Sequence, residues 1–115
     1  MTFIEAVARE EGFGPTENRP TRNNNPGDLE FREGGIAQRH GATGGDPRFA
    51  IFPTIEQGWG CLRSLFVHNY ASLTVQEAIK RFAPSDENDT DSYVSNVCTW
   101  TGMQPTDVLT AENIG

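Results

Sequence analysis

Apolar residues recur at helical spacing along four segments of the chain, and this pattern predicts four helices. Two of the predicted helices begin with a capping box, in which a threonine is followed three residues later by Gln or Glu. These boxes are Thr54 with Gln57 and Thr74 with Glu77. A final helical turn is expected near residues 105–109. The predicted helices cover residues 2–11, residues 54–70, residues 74–83 and a segment that ends at Gly102.

The first half of the chain has a different pattern. Residues 12–27 are rich in glycine, proline and asparagine, which predicts a loop. Residues 29–52 combine glycine-rich turns with short apolar segments that are typical of strands. We therefore expect a small antiparallel hairpin or three-stranded sheet there. Together with the helices it gives one α+β domain over residues 1–115, mainly helical with a small glycine-rich antiparallel sheet.

Composition and charge exclude several kinds of partner. The chain has 115 residues and a formal net charge of −7, with 9 Lys and Arg against 16 Asp and Glu. Nucleic-acid backbones and anionic membranes select basic surfaces, so we expect neither as a partner. The chain has no segment typical of a signal peptide or a transmembrane helix, which indicates a soluble protein, and we expect a monomer.

Cysteines and histidines give no sign of a metal centre. His40 and His68 are isolated, and no Cys/His spacing fits a zinc site, so we expect no metal and no cofactor. Cys61 and Cys98 fit either two buried thiols or one bridge between packed helices. We favour the thiols.

Two adjacent glutamates end the first predicted helix. At 100° per residue, Glu11 lies about 20° from Ile4, in the middle of the apolar face, whereas Glu10 lies at its edge. Glu10 can reach water, while Glu11 points toward the interior. Apolar surroundings raise the pKa of a carboxyl group, and such a group can donate a proton near neutral pH. The alternatives are that the helix frays and the Glu11 side chain turns outward, or that Glu11 caps a nearby backbone segment.

An unusual polar run, RNNNPGDL, occupies residues 22–29. Asparagines of this kind cap turns or present paired donors and acceptors to a polar ligand such as an acetamido sugar. We take Asn25 and Asp28 as candidate substrate-binding residues, although an Asx turn also explains Asp28. Phe49 lies on the predicted strand 48–52, where one face can stack a sugar ring.

Four segments together resemble a known family. REEG (9–12), RNNNPGDL (22–29), RFAIFPTIEQGWGCL (48–62) and FAPSDENDTDSYVSNV (82–97) look like the lysozyme-like muralytic domains of phages and bacteria, which are related to goose-type lysozymes and soluble lytic transglycosylases. In that superfamily the glutamate of an Arg-x-Glu-small pattern is the general acid, which corresponds to Glu11. The late Tyr-Val pair and its preceding Glu and Asn imply substrate-binding roles for Tyr93 and Asn88. The family's Gly-Leu-Met-Gln run is absent.

The resemblance implies a peptidoglycan-degrading glycosidase that cleaves the β-1,4 bond between N-acetylmuramic acid and N-acetylglucosamine. Hydrolysis would need a second carboxylate, for which Asp28, Glu30 and Asp46 are candidates, whereas a lytic transglycosylase would not. One alternative is an inactive glycan-binding or virion structural module of the same fold. Another is a helical adaptor that binds a partner through Trp59, Phe66 and Trp100. An enzyme of this kind would act on the bacterial cell wall, either phage-encoded and released through a holin or carried in the virion.

Overall fold

The computed structural model describes all residues, 1–115, and shows a mainly helical α+β fold with one small antiparallel sheet. This agrees with the predicted fold class. The elements in chain order are α1 (Phe3–Glu10), α2 (Arg19–Arg22), α3 (Ile36–Arg39), β1 (Gly44–Gly45), β2 (Ala50–Ile51), α4 (Ile55–Asn69), α5 (Val75–Phe82), α6 (Thr90–Thr101) and α7 (Ala111–Ile114).

The long helices begin where the sequence predicts. Both capping boxes are present, since the Thr54 and Thr74 hydroxyls accept from the backbone N–H groups three residues later. A third box joins Thr2 to Glu5 at the start of α1. After α1, Gly12 adopts φ +91°, a left-handed conformation that ends the helix at little steric cost.

The main core lies between the helices. It joins the apolar face of α1 to α4, α5, α6 and α7, and α1 packs most extensively against α6. Phe3 and Phe66 are fully buried at its centre, with ring centroids 5.1 Å apart in an edge-to-face arrangement. A smaller core of five buried residues lies beneath the sheet and includes Phe52 and Cys61. Both cysteines are free thiols, so the bridged alternative is excluded.

The sheet is smaller than the sequence indicates. Its two strands pair Gly44 with Ile51 and Gly45 with Ala50. The segment expected to supply a third strand contributes only the isolated bridge between Glu30 and Phe49. That segment cannot extend its pairing, because the backbone turns away at residues 33–34 and enters α3.

Two further expectations were wrong. Residues 12–27 are not all loop, because α2 starts at an Asn18 cap with a proline in its first turn. Residues 105–109 do not form a helical turn. Their backbone pairs with the chain before α5, where Leu109 N–H donates to the Leu73 carbonyl at 2.8 Å and Val75 N–H to the Asp107 carbonyl at 2.9 Å. The final helix, α7, follows this paired segment.

The three aromatic residues of the adaptor alternative do not form one exposed face. Phe66 is fully buried, and Trp59 packs edge-to-face against Phe13 with centroids 5.5 Å apart. Trp100 is half-buried and is covered by the Arg9 guanidinium, 4.3 Å from its ring centroid. The structure therefore offers no apolar surface of the kind that this alternative requires.

Candidate active site

Glu11 is the C-cap residue of α1, one position beyond the helix. Packing of α1 against α6 brings it to Tyr93, which is 82 residues later in the chain. The buried Tyr93 hydroxyl donates to Glu11 Oε2 at 2.7 Å. The neighbouring Glu10 also faces α6, but its carboxylate accepts from the Asn96 amide at 3.1 Å. The two glutamates therefore have different partners on the same helix.

Burial is the main influence on the Glu11 carboxyl group. It raises the pKa of Glu11 from 4.5 to about 7, and the negative charge of Asp28 adds to the increase. The Tyr93 hydroxyl and the Arg19 guanidinium oppose it, since both favour the carboxylate. Near pH 7 both the protonated and the ionised form of Glu11 are therefore populated. Burial, and then the Glu11 charge, raise the pKa of Tyr93 well above its ordinary value, so its hydroxyl remains a donor.

Asp28 lies beside this carboxyl group and is held by an arginine fork. Arg19 Nε donates to Asp28 Oδ1 at 3.0 Å, and Arg19 Nη2 donates to Oδ2 at 2.5 Å. Both oxygens of Asp28 are therefore engaged in a bidentate ion pair. The Arg19 guanidinium also lies over the Phe49 ring, with its carbon 3.5 Å from the ring centroid. This stacking makes Phe49 less suited to the predicted sugar contact, because Arg19 occupies one face of its ring.

These groups line an open groove with a volume of about 880 Å³. Four of the predicted site residues contribute to its surface: Glu11, Asp28, Phe49 and Asn88. Tyr93 lies behind Glu11 and touches the groove through that carboxyl group. Asn88 lies in the loop before α6 and donates to the Pro84 carbonyl at 3.2 Å.

Asn25 lies beneath the groove rather than on its surface. It is fully buried, and its Nδ2 donates to the carbonyls of Leu29 and Ala50, both at 2.9 Å. Its Oδ1 accepts from Leu29 N–H at 3.0 Å. A side chain with these partners cannot contact a glycan, so the ligand-binding interpretation of Asn25 is replaced by a structural one. The residue joins the loop that carries Asp28 to the start of β2, next to Phe49.

The other asparagines of the run also stabilise the loop. Asn24 adopts φ 52° and donates through Nδ2 to the Phe52 carbonyl at 3.0 Å. Asn23 is buried, and its backbone carbonyl accepts from Phe52 N–H at 2.9 Å. The run therefore attaches the groove loop to the β2 segment, and the expectation that it presents amides to a sugar is not met.

The candidate second carboxylates differ in position. Asp28 and Glu30 line the groove, whereas Asp46 does not and pairs with Arg22 at 2.6 Å on the surface. Glu30 pairs with Arg32 Nη2 at 3.0 Å and with Arg48 Nε at 3.3 Å. Both candidate carboxylates that line the groove, Asp28 and Glu30, therefore form ion pairs with arginine. Glu11 instead accepts a hydrogen bond from the Tyr93 hydroxyl.

Sequence reasoning missed the arginines of the groove: Arg19, Arg32 and Arg48. Their spacing has no helical or strand period, and only the pairing of residues 29–31 with residues 48–50 brings two of them together. The pattern of Asn18, Arg19 and Pro20 is a helix-start signal that could have placed Arg19. No group of three or more His, Cys, Asp or Glu side chains is arranged to hold a metal ion. No helix combines the length and apolar character needed to cross a membrane.

The fold and the site define a small, mainly helical α+β protein whose groove contains a glutamate able to exchange a proton near neutral pH. No family model matches the chain, and no solved structure matches it. Protein P5 of Pseudoalteromonas phage PM2 is 35% identical over 113 residues, in an alignment that covers 90% of this chain and 70% of that protein. The chain therefore belongs to the family of this phage protein, which links it to bacteriophages.

Proposed function

We propose that the chain is a peptidoglycan-degrading glycosidase that cleaves the bond between N-acetylmuramic acid and N-acetylglucosamine, with Glu11 as general acid. The observation that carries the proposal is the Glu11 carboxyl group, which lines an open groove and has a pKa of about 7. A carboxyl group of this kind is protonated often enough near neutral pH to donate to a glycosidic oxygen. The resemblance to lysozyme-like domains supports the same assignment, because Glu11 in REEG corresponds to the glutamate that is the general acid in that superfamily.

The ion pairs of the groove favour a transglycosylase reaction over hydrolysis. An inverting hydrolase needs a second carboxylate that binds and activates water. Asp28 has both oxygens in the Arg19 fork, and Glu30 is paired with two arginines. A carboxylate whose oxygens already accept from guanidinium N–H groups has less capacity left to bind and orient a water molecule. Glu11 would then serve first as acid toward the leaving oxygen and afterwards as base toward the substrate's 6-hydroxyl.

The Tyr93 hydroxyl suits a residue that must change protonation state. It donates to Glu11 Oε2, so it stabilises the carboxylate that forms when the proton leaves. Asp28 has the opposite effect and favours the acid form. Burial has the largest effect on the pKa and, with the Asp28 charge, raises it, while the Tyr93 hydroxyl limits the rise. The pKa therefore lies near neutrality, which is the condition for one group to act as acid and then as base.

A phage-encoded enzyme of this class would act on the bacterial cell wall. It would either be released through a holin at the end of infection or be carried in the virion. Membership in a phage protein family supports a phage role. The catalytic chemistry proposed is the same in both settings.

The test is digestion of purified peptidoglycan by the wild-type chain and by Glu11→Gln, with the soluble products identified by mass spectrometry. Glu10→Gln is the matched control, because it removes the adjacent carboxylate, which faces Asn96 instead of Tyr93. We expect anhydro-muropeptides from the wild type and from Glu10→Gln, and none from Glu11→Gln. Reducing muropeptides would identify a hydrolase instead. Cleavage by Glu11→Gln would refute the assignment, and binding of glycan strands without cleavage would favour the inactive module.

A further inference from the structure

Three arginines lie along one wall of the groove, although the chain as a whole carries a net charge of −7. They are Arg19, Arg32 and Arg48, and we call them the arginine wall. Arg19 donates both of its side-chain hydrogen bonds to the carboxylate of Asp28. Arg32 and Arg48 are different, because they share a single partner, the carboxylate of Glu30. Arg32, Arg48 and Glu30 together therefore retain one net positive charge.

Arg32 and Arg48 also retain most of their hydrogen-bonding capacity. Arg32 contacts Glu30 through Nη2 alone, and Arg48 contacts it through Nε alone, at 3.3 Å. A guanidinium carries several N–H donors in a planar fork, so the remaining donors have no partner in the protein. Their side chains are 79% and 64% exposed, respectively, and both line the groove. An incoming anion can reach them without displacing any buried contact.

We propose that Arg32 and Arg48 bind a carboxylate of the peptide stem that the glycan strand carries, and that this contact gives the groove a preference for stem-bearing strands. The inference rests on the proposed function, because it concerns the substrate of the same groove. Stem peptides bear free carboxylates, and the planar guanidinium fork matches the geometry of a carboxylate. Glu30 already occupies part of this site, so a carboxylate is shown to fit between the two arginines.

The position of the wall in the groove agrees with this role. The guanidiniums of Arg19 and Arg48 both lie against the Phe49 ring, 3.5 Å and 4.8 Å from its centroid, so Phe49 connects the ion pair of Arg19 with that of Arg48. The acid Glu11 is near Arg19 and Asp28, since both charges influence its pKa. Arg32 and Arg48 are both paired with Glu30, which lines the same groove. A strand that presents its scissile bond to Glu11 would thus carry a neighbouring stem toward the exposed arginines.

The experiment measures binding and uses Glu11→Gln as the host, so that cleavage does not alter the ligand. The probes are glycan strands from teichoic-acid-free sacculi, with their stems intact or removed by an amidase. We expect stem-bearing strands to bind roughly fivefold more tightly, and we expect Arg32→Gln combined with Arg48→Gln to abolish this preference. Each single variant should remove part of it. Circular dichroism and thermal unfolding verify that these exposed substitutions leave the fold intact.

The control is Arg63→Gln, which removes one positive charge, as each single variant does, from the exposed face of α4 outside the groove. It should keep the preference, and loss of the preference in this variant would overturn the proposal by showing a general charge effect. Equal affinity for the two kinds of strand would also overturn it. So would undiminished binding of strands whose stem carboxylates are amidated, or a preference that appears only when phosphate-rich wall polymers are present.

Wild-type cleavage separates failure of this inference from failure of the proposed function. If the wild type cleaves bare and stem-bearing strands at the same rate, the function holds and the stem-binding role is refuted. If it cleaves neither, while the Glu11→Gln host shows the arginine-dependent preference, the enzymatic proposal fails and the stem-binding role stands.

Discussion

The raised pKa of Glu11 should make the stability of the protein depend on pH in a way that Glu11→Gln removes. Burial raises the pKa from 4.5 to about 7 in the folded chain. A folded-state pKa above the unfolded value means that the folded protein binds the proton more tightly. The stabilisation that the folded chain gains from this tighter proton binding at Glu11 is therefore fully present below pH 4.5 and is lost as the pH rises through 7. At about 1.4 kcal/mol per pH unit, the change is about 3 kcal/mol.

The assay is urea unfolding of the wild type and of Glu11→Gln at a series of pH values between 4 and 9. The free energy of unfolding of the wild type should fall by about 3 kcal/mol relative to the variant, a difference of about 2 M in the urea midpoint. Three other carboxyl groups, Glu5, Asp46 and Glu77, have lowered pKa values and lose their contribution at the acid end. They are common to both proteins and cancel in the comparison. A difference in stability that stays constant from pH 4 to pH 9 would refute the raised pKa of Glu11.

Two further predictions concern the partner of Glu11 and the packing beneath the groove. Tyr93→Phe should raise the pKa of Glu11 by up to about one unit, because it removes a hydrogen bond that favours the carboxylate. Carbon NMR titration of the glutamate carboxyl groups measures this, with Tyr70→Phe as control and an unchanged or lower value as the contradicting result. Gly58→Ala should destabilise by about 3 kcal/mol, since a Cβ there would lie 1.9 Å from the Asn24 carbonyl oxygen. A Cβ at Gly60, on the same helix, would meet only His40 Nδ1 at 3.9 Å, an ordinary van der Waals contact, so Gly60→Ala should be neutral or slightly stabilising in thermal unfolding. Equal effects of the two substitutions would contradict the packing.

Local signals in the sequence account for most of the helical fold. The capping boxes at Thr54 and Thr74 satisfy backbone donors within their own first turns, so neither depends on the rest of the molecule. The sheet and the residue 105–109 segment could not be derived in this way. Val108 pairs with Thr74, and Glu30 pairs with Phe49, through contacts between distant parts of the chain. Tertiary pairing of this kind overrides short-range propensity.

The site was predictable only in part, for the same reason. Helical geometry singles out Glu11 as the carboxylate on the apolar face, and this needs no knowledge of the fold. Its contact with Tyr93 depends on the packing of α1 against α6, and before the structure only the family resemblance pointed to that residue. The roles of Asn25 and Arg19 were hidden, because an asparagine that binds sugar and one that joins two loops look alike in sequence. In the same way, the sequence alone does not distinguish an arginine that binds a carboxylate, such as Arg19, from any other arginine.

The arrangement around Glu11 is hard to explain by stability alone. A carboxyl group at the C-terminal end of a helix meets the negative end of the helix dipole, and burial adds to that penalty. At neutral pH this costs the folded chain about 3 kcal/mol, a substantial fraction of the stability of about 5–15 kcal/mol that is typical of a domain. A glutamine at this position would keep the size and the hydrogen bond to Tyr93 without titrating. Strained or destabilised groups of this kind cluster at functional sites, which is why the proposal starts from Glu11 rather than from the better-paired carboxylates beside it.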